Sequence, residues 1–423
     1  MYLLLYKLFL LVYQLGIRIA SILNLKARSW IAGRNGILKK IEGILGIESE
    51  KSIWMHCASL GEFEQGRPVL EKLVAEYPGF KIIITFFSPS GYEIRKNYNL
   101  ADHVFYLPMD GRRNASQFIK LINPAIVLWI KYEFWHYYLL ELKKKKVPTL
   151  LISASFRENQ RFFSWHGSFW SSMLQNFTLI FLQNQYSAKL LEQIGFRDNV
   201  IITGDTRFDR VIQIAENFVK IPGMDVFCNN HPVIVAGSTW EEDEAIFMHY
   251  AKAHQGFKFI IAPHEVDKEN ILDIKREFGS AIFYSELLKM EETNPDHSTL
   301  PNVLIIDCIG ILSRLYKYAD IAYIGGGFGD DGIHNILEAA VYGKPVLFGP
   351  ETEKNYEALE MIESGGAIIV HNALELEVVI NEMINNPIEL KLKGDASRDF
   401  ILKNAGASST IIRNIQEKRL LTN

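Results

Sequence analysis

The sequence predicts an α/β protein of two Rossmann-like, parallel-sheet domains that face a cleft, preceded by an N-terminal membrane-associated helix. Short continuous apolar runs alternate with helical patterns, and this alternation restarts after a break at residues 216–232. Parallel strands buried on both faces read as continuous apolar runs joined by helical crossovers. An apolar stretch at residues 1–25 predicts the helix.

Length and composition support two globular domains. A chain of 423 residues exceeds what one hydrophobic core usually holds. The net charge of −4 gives no basis for a nucleic-acid partner. Cys57, Cys228 and Cys308 are far apart and form no CxxC pair, so neither a disulfide framework nor a zinc site is expected, and a reducing, cytoplasmic setting is favoured.

The apolar N-terminus is long enough to cross a bilayer, for which about 20 residues are needed. At about 100° per residue its polar side chains fall on one narrow helix face: Lys7, Gln14, Arg18 and Ser21. This pattern is typical of a helix that lies in or against a membrane. The alternative is a buried helix of the first domain.

Basic residues follow this helix, as expected next to an anionic cytoplasmic leaflet. They are Lys26, Arg28, Arg34, Lys39 and Lys40.

The remaining chain is divided into residues 26–222 and residues 223–423, with the last helix as a candidate to return to the first domain. Strands of the first domain are predicted at residues 53–57, 81–86, 103–106, 125–129, 149–153, 179–182 and 200–203. Those of the second are predicted at residues 233–236, 258–262, 281–283, 303–307, 321–324, 345–348 and 367–370. Helices are predicted between them, including residues 65–77, 134–145 and 336–342, and the segment 393–419 is predicted to be helical.

The segment HCASLGEFEQG, residues 56–66, places Glu62 in the first strand-to-helix turn. One interpretation is structural, with Ser59 as N-cap and Glu62 completing a capping box. The other is a general base that faces the cleft, because ligands of open α/β sheets bind beyond the carboxyl ends of the strands. The segment alone leaves both open.

A glycine-rich segment marks the second half. Three glycines, residues 325–327, end a strand, and a helix is predicted to begin near residue 334. Adjacent glycines let the backbone approach a ligand, and helix N-termini offer N–H groups to a phosphate. Glu338 lies where a carboxylate can accept hydrogen bonds from ribose hydroxyls. A tight turn without a ligand is the alternative.

Two further turns are predicted on the same side of the second sheet. Ser238 and Thr239 follow its first strand, and His264 follows its second, where it can donate to a phosphate or pair with a base. A metal at His264 is disfavoured because the spacing of the neighbouring ligands is poor. The acidic residues Asp330 and Asp331 are expected to point to solvent.

Together these motifs resemble those of the 3-deoxy-D-manno-octulosonic acid (Kdo) transferases of lipopolysaccharide synthesis, which are GT-B glycosyltransferases. The resemblance runs over essentially the whole chain. It rests on residues 56–62, 129–135, 152–156, 203–209, 237–244, 307–312 and 325–350.

The resemblance implies that Glu62 is the general base that takes the proton of the acceptor hydroxyl. Glu133 matches the second acidic position, which orients the acceptor or assists the base; its alternative is a carboxylate in the first turn of a helix. The implied acceptor is a lipid A precursor (lipid IVA), and the residues assigned to its binding are Ser59, Gly61, Arg157 and Arg161.

The implied donor is CMP-Kdo, transferred with inversion and without a metal or another cofactor. Its phosphate and ribose are assigned to Gly326, Gly327, Asn335 and Glu338, with Ser238, Thr239 and His264 nearby. Inner-membrane lipids are the further partners, at the cytoplasmic face of the bacterial inner membrane. The alternatives are another GT-B enzyme with a different nucleotide sugar, such as a hexose transferase or epimerase, and a non-catalytic nucleotide-sugar-binding membrane scaffold.

Overall fold

The computed structural model describes residues 2–46, 50–293, 300–329, 332–352 and 355–422. The chain divides into two compact units: unit 1 contains Met1–Arg210 and Ala405–Asn423, and unit 2 contains Val211–Asn404. This division differs from the predicted boundary after residue 222. Residues 211–222 group with unit 2, and residues 405–423 group with unit 1.

Unit 1 is built on a seven-stranded parallel sheet with the order β3-β2-β1-β4-β5-β6-β7. The strands coincide with the predicted apolar runs: β1 (Ser52–Cys57), β2 (Lys81–Phe86), β3 (His103–Tyr106), β4 (Pro124–Ile130), β5 (Thr149–Ala154), β6 (Leu179–Leu182) and β7 (Val200–Ile202). The strand order reverses between β1 and β4. In open α/β sheets, the crevice beyond such a reversal is where ligands bind.

The helices of unit 1 cover both faces of this sheet. They are α1 (Tyr2–Ala20), α2 (Leu25–Arg34), α3 (Ile37–Leu45), α4 (Leu60–Glu76), α5 (Pro89–Arg95), α6 (Arg112–Ile122), α7 (His136–Lys144), α8 (Ser168–Leu174), α9 (Gln185–Gln193) and the C-terminal α20 (Ala407–Glu417). Helix α10 (Thr206–Glu216) begins in unit 1 and ends in unit 2. Successive residues of β1 enter different cores, Trp54 on one face and Ile53 and Met55 on the other. Strands buried on both faces explain the continuous apolar runs.

Helix α1 is long and apolar enough to cross a membrane. Only Tyr6 and Leu10 of its described residues are buried, whereas Leu4 and Leu11 are 70% and 62% exposed. The alternative of a buried helix is therefore wrong. An exposed apolar helix is consistent with membrane association.

Arg34, at the end of α2, does not serve as a surface charge. Its guanidinium group lies 4.0 Å from the Trp30 ring centroid and donates to the backbone carbonyls of Phe87 and Leu107. The predicted basic cluster therefore loses one member to internal packing.

Unit 2 repeats the architecture, with the strand order β10-β11-β9-β8-β12-β13-β14 and parallel pairing throughout its sheet. Its strands are β8 (Val233–Thr239), β9 (Lys258–Pro263), β10 (Ala281–Phe283), β11 (Val303–Ile305), β12 (Ile321–Ile324), β13 (Val346–Phe348) and β14 (Ala367–Ile369). Its helices are α11 (Met224–Cys228), α12 (Glu241–Ala253), α13 (Lys268–Phe278), α14 (Tyr284–Thr293), α15 (Leu312–Leu315), α16 (Leu337–Ala340), α17 (Tyr356–Glu363), α18 (Ala373–Asn385) and α19 (Pro387–Asn404). Two Rossmann-like parallel sheets confirm the predicted fold class.

Several helix boundaries differ from the prediction. Helix α7 begins at His136 instead of residue 134, and α16 spans only four residues, Leu337–Ala340. The predicted C-terminal helix is broken at Gly406, whose φ of 107° lies in the left-handed region. Glycine adopts this conformation at little cost, so it separates α19 from α20.

Candidate active site

Glu62 lies at the carboxyl end of β1, in the first turn of α4. Its carboxylate accepts a hydrogen bond from the backbone N–H of Ala58. Ser59 is the N-cap residue, but its hydroxyl accepts no capping hydrogen bond from the described residues. The predicted capping box is therefore not formed, and the carboxylate reaches back past the N-cap instead.

The environment of Glu62 stabilises the protonated form of its carboxylate. Burial raises its pKa to about 7, opposed by the Ala58 N–H; nearby Glu133 adds to the rise, while Lys131 and the Tyr132 N–H oppose it. Near neutral pH this carboxylate is therefore only partly ionised. A pKa near the working pH nevertheless suits a general base.

Glu133 lies in the loop between β4 and α7. Because α7 begins at His136, the alternative of a carboxylate in the first turn of a helix is wrong. Glu133 Oε2 accepts hydrogen bonds from His56 Nε2 and Trp135 Nε1, each at 3.1 Å, and the Glu133 carbonyl accepts one from Trp129 Nε1. With its side chain 21% exposed, this carboxylate is held in place but remains accessible.

The strand register explains the position of His56. His56 in β1 is level with Thr85 in β2 and Trp129 in β4, so the three side chains lie side by side on one face of the sheet. His56 is fully buried and its ring centroid is 4.6 Å from that of Trp129. His56, Thr85 and Trp129 were not predicted as site residues, because the sequence of one strand does not show which residues of its neighbours lie beside it.

The residues assigned to the acceptor lie in two places. Ser59 and Gly61 flank the start of α4 next to Glu62. Arg157 and Arg161 are exposed in the segment after β5. Arg157 lies near the phenol group of Tyr132. The backbone N–H of Tyr132 faces the Glu62 carboxylate.

Arg161 points elsewhere. Its guanidinium group lies 5.4 Å from the ring centroid of Trp170. The structure thus connects Arg157 with the Glu62 environment through Tyr132, and it gives Arg161 an aromatic contact.

In unit 2, the residues assigned to the donor lie at or after the carboxyl ends of β8, β9 and β12. Ser238 and Thr239 are the last two residues of β8 and not a turn that follows it, as the sequence had predicted. Ser238 has a φ of 54°, an uncommon left-handed conformation for a residue with a side chain. The Thr239 hydroxyl is buried and donates to Glu244, 2.8 Å away. The Thr239 carbonyl accepts the N–H of His264 at 2.9 Å.

The imidazole of His264 lies in an aromatic stack. Its ring centroid is 4.5 Å from those of both Trp240 and His334, with interplanar angles of 23° and 19°. Trp240 also donates from Nε1 to His334 Nε2 at 3.2 Å. The stack brings the turns after β8 and β9 to the segment after β12.

The glycines after β12 have packing roles. The Gly326 N–H donates to Asp243 Oδ2 at 2.8 Å, so this N–H is not directed at a ligand. A Cβ at Gly327 would lie 2.5 Å from the backbone nitrogen of Gly349. Asp243, which also accepts from the Tyr323 hydroxyl at 2.6 Å, is an organising residue that the sequence analysis missed.

Asn335 and Glu338 lie together, with Asn335 Nδ2 donating to Glu338 Oε1 at 3.0 Å. Helix α16 begins only after Asn335 and is four residues long. Its helix dipole, which would stabilise a bound phosphate, is therefore much smaller than that of the longer helix predicted from the sequence. Asp330 and Asp331 lie outside the described residues. No group of three or more His, Cys, Asp or Glu suited to a metal ion occurs within the described part of the chain.

Sequence comparison relates the chain to 3-deoxy-D-manno-octulosonic acid transferases. The model of a family described as 3-Deoxy-D-manno-octulosonic-acid transferase (kdotransferase) matches residues 31–210. The 3-deoxy-D-manno-octulosonic acid transferase of Aquifex aeolicus (strain VF5) is 28% identical over 357 residues, which cover 82% of this chain and 90% of that protein. The enzyme of the same name from Haemophilus influenzae is 25% identical over 381 residues, 86% of each chain.

Structural comparison shows the fold. The crystal structure of UDP-GlcNAc 2-epimerase from Neisseria meningitidis bound to UDP-GlcNAc superimposes with a TM-score of 0.62 at 18% identity. The match covers 87% of this chain and 100% of the epimerase. At this identity the likeness concerns the two-domain architecture alone.

Proposed function

Because the chain belongs to the family of 3-deoxy-D-manno-octulosonic acid (Kdo) transferases, which are glycosyltransferases of lipopolysaccharide synthesis, we propose that it transfers Kdo from CMP-Kdo to a lipid A precursor, lipid IVA. The reaction inverts the anomeric centre in a single displacement.

Glu62 is the general base of this reaction. Its carboxylate takes the proton of the acceptor hydroxyl while that oxygen forms a bond to the anomeric carbon of Kdo. The bond from this carbon to the phosphate oxygen breaks, and its electrons leave with CMP. The observation that carries the proposal is a partly exposed carboxylate at the carboxyl end of β1, with a pKa of about 7.

Glu133 orients the acceptor. His56 and Trp135 occupy one of its carboxylate oxygens, Oε2. Within the described residues, the other oxygen accepts no hydrogen bond, so it is available to a sugar hydroxyl. Ser59, Gly61, Arg157 and Arg161 complete the acceptor side, where the two arginines supply charge for the phosphates of the lipid.

Unit 2 holds CMP-Kdo. The proposal places the phosphate near Ser238, Thr239 and His264, and the ribose at Asn335 and Glu338. Gly326 and Gly327 contribute a loop that a ligand can approach closely. No metal is required, because hydrogen-bond donors in a preorganised site can stabilise the charge that develops on a leaving phosphate.

Helix α1 keeps the enzyme at the cytoplasmic face of the bacterial inner membrane, next to its lipid acceptor. Its exposed leucines supply apolar area. The basic residues that follow, such as Lys26 and Lys39, attract anionic headgroups.

The test is to incubate the purified full chain with CMP-Kdo and a tetraacylated lipid A precursor, and then to weigh the lipid by mass spectrometry. We expect a product heavier by whole Kdo residues, with CMP released in equal amount. Binding of CMP-Kdo without any product would support the scaffold alternative. Calorimetric titration with CMP and with UDP tests the alternative of a GT-B enzyme that uses a different nucleotide sugar. An enzyme that uses a UDP-sugar should bind UDP more tightly than CMP.

A further inference from the structure

We propose that His56 is a positioning residue of the transfer reaction, which holds Glu133 in the orientation that binds the acceptor hydroxyl. This inference rests on the proposed function for its consequence, but the pairing itself is a property of the fold. His56 touches no substrate in this account and acts only through Glu133.

A continuous chain of hydrogen bonds fixes the His56 ring. Trp54 Nε1 lies 2.8 Å from Thr85 Oγ1, which lies 2.9 Å from His56 Nδ1. On the other side of the ring, His56 Nε2 lies 3.1 Å from Glu133 Oε2. His56 and Thr85 are both fully buried, so water does not compete for these bonds.

The hydrogen bonds that link Trp54, Thr85 and His56 define which atom donates in each contact. The indole N–H of Trp54 donates only, so Thr85 Oγ1 accepts from it. The Thr85 hydroxyl then donates its own proton to His56 Nδ1, because no other acceptor for it occurs among the described residues. The ring therefore carries a proton on Nε2 and donates it to the Glu133 carboxylate.

The packing around His56 prevents the ring from turning away. Trp129 lies with its ring centroid 4.6 Å from that of His56 and donates to the Glu133 carbonyl, so one residue supports both partners. Trp135 Nε1 is the second donor to Glu133 Oε2. Because Glu133 Oε2 accepts two hydrogen bonds, the orientation of the carboxylate group is fixed. The direction in which Oε1 points is then fixed as well.

Two substitutions separate positioning from mere burial of a polar side chain. The amide nitrogen of glutamine reaches the place of imidazole Nε2, whereas that of asparagine reaches the place of Nδ1. His56→Gln therefore keeps a donor for Glu133, and His56→Asn loses it. We expect His56→Asn to lower kcat/KM for the lipid acceptor by about 10- to 100-fold, since a hydrogen bond to a charged group is lost.

The control measurements accompany this pair. His56→Gln should stay within about threefold of the wild type, because the contact with Glu133 is kept. The KM for CMP-Kdo should be the same in all three proteins. Equal loss of acceptor kcat/KM in His56→Gln and His56→Asn, or a change in the KM for CMP-Kdo alone, would overturn the positioning role.

Nitrogen NMR of protein labelled at its 11 histidines tests the pairing without any activity. The His56 signals are those that disappear in His56→Gln. We expect a ring that carries a proton on Nε2, with an Nε2 signal that shifts in Glu133→Gln. A ring protonated on Nδ1 alone would overturn the pairing, even if the chain transfers Kdo. If the chain transfers no Kdo, these spectra still decide the pairing, and the proposed function fails separately.

Discussion

The Glu62 carboxylate accepts a hydrogen bond from the backbone N–H of Ala58, four residues earlier in the chain. This contact ties the side chain to the end of β1, while burial raises its pKa to about 7. A partly buried carboxylate that is held by the backbone and is only partly ionised at neutral pH is well matched to the acceptance of a proton.

The first prediction concerns the pH dependence of transfer. Because the base must be deprotonated, kcat/KM for the acceptor should rise about tenfold per pH unit below pH 7 and level off above it. Initial rates between pH 5 and pH 9 provide the measurement. Glu76→Gln, at the exposed end of the same helix, should leave the profile unchanged. A profile already level from pH 5.5 upward would show that Glu62 is not the titrating base.

The second prediction concerns stability. The pKa of Glu62 is higher in the folded protein, about 7, than the ordinary value of 4.5 for a glutamate. Between these values the folded state binds more protons than the unfolded state, so this group lowers the free energy of unfolding as pH rises from 4.5 to 7. At pH 8, Glu62→Gln should therefore be more stable than the wild type by on the order of 2 kcal/mol.

Urea unfolding of both proteins at pH 8 and at pH 5 measures this difference, which should shrink at the lower pH. A Glu62→Gln protein that is less stable than the wild type at pH 8 would contradict the assigned environment of this carboxylate.

The third prediction concerns Glu133. Because Glu133 is proposed to orient the acceptor, Glu133→Gln should raise the KM for the lipid acceptor by about tenfold and leave the affinity for CMP-Kdo unchanged. Trp135→Phe, which removes one of the two donors to Oε2, should have a smaller effect in the same direction. Trp165→Phe is the control, since this side chain is 95% exposed. Weaker CMP-Kdo binding in Glu133→Gln would assign the residue to the donor instead.

The fourth prediction concerns the glycine loop. A Cβ at Gly327 would approach the Gly349 backbone to 2.5 Å, whereas at Gly329 the described residues leave open space. Gly327→Ala should therefore move the loop, weaken CMP binding at least about tenfold and lower the free energy of unfolding by about 1–3 kcal/mol. Gly329→Ala should change neither quantity. Calorimetric titration with CMP and urea unfolding are the measurements, and equal effects of the two variants would refute the packing argument.

The fifth prediction concerns the membrane. Leu4, Leu8 and Leu11 are each more than half exposed, although the helix is anchored by Tyr6 and Leu10. Replacing the three leucines by glutamine should lower binding to anionic vesicles by at least about tenfold, because each buried leucine contributes roughly 1.5–3 kcal/mol. Vesicle flotation measures the bound fraction.

The control for that variant places the same three changes on exposed apolar residues of unit 2: Leu374, Ile388 and Leu392. This protein should bind vesicles like the wild type. Equal loss of binding in both variants, or in neither, would remove α1 from the account of membrane association.

The strands were predictable because each is a short apolar run buried on both faces, and burial leaves a direct mark on composition. Helix ends were less predictable. The sequence pattern predicts that a helix starts at Phe134, but α7 begins only at His136. The rings of Phe134 and Trp135 pack instead against Phe162 and Phe87, respectively. Tertiary packing there overrides the local pattern.

The candidate site was predictable only in part. Glu62 and Glu133 were named because of their motifs, but their partners depend on the register of β1 with β2 and β4. The sequence of one strand carries no information on that register, so the His56 chain was missed. The glycines of residues 325–327 were assigned to a ligand, whereas the structure shows that close backbone packing also requires them.

The most direct test of the central claim compares Glu62→Gln with the wild type in a single turnover of CMP-Kdo with the lipid A precursor. The account predicts that calorimetry gives the same CMP-Kdo affinity for both proteins, within about twofold, and that the transfer rate falls by about 10²- to 10⁴-fold. Transfer at the wild-type rate by Glu62→Gln would contradict the account, because no proton acceptor at position 62 would then be needed.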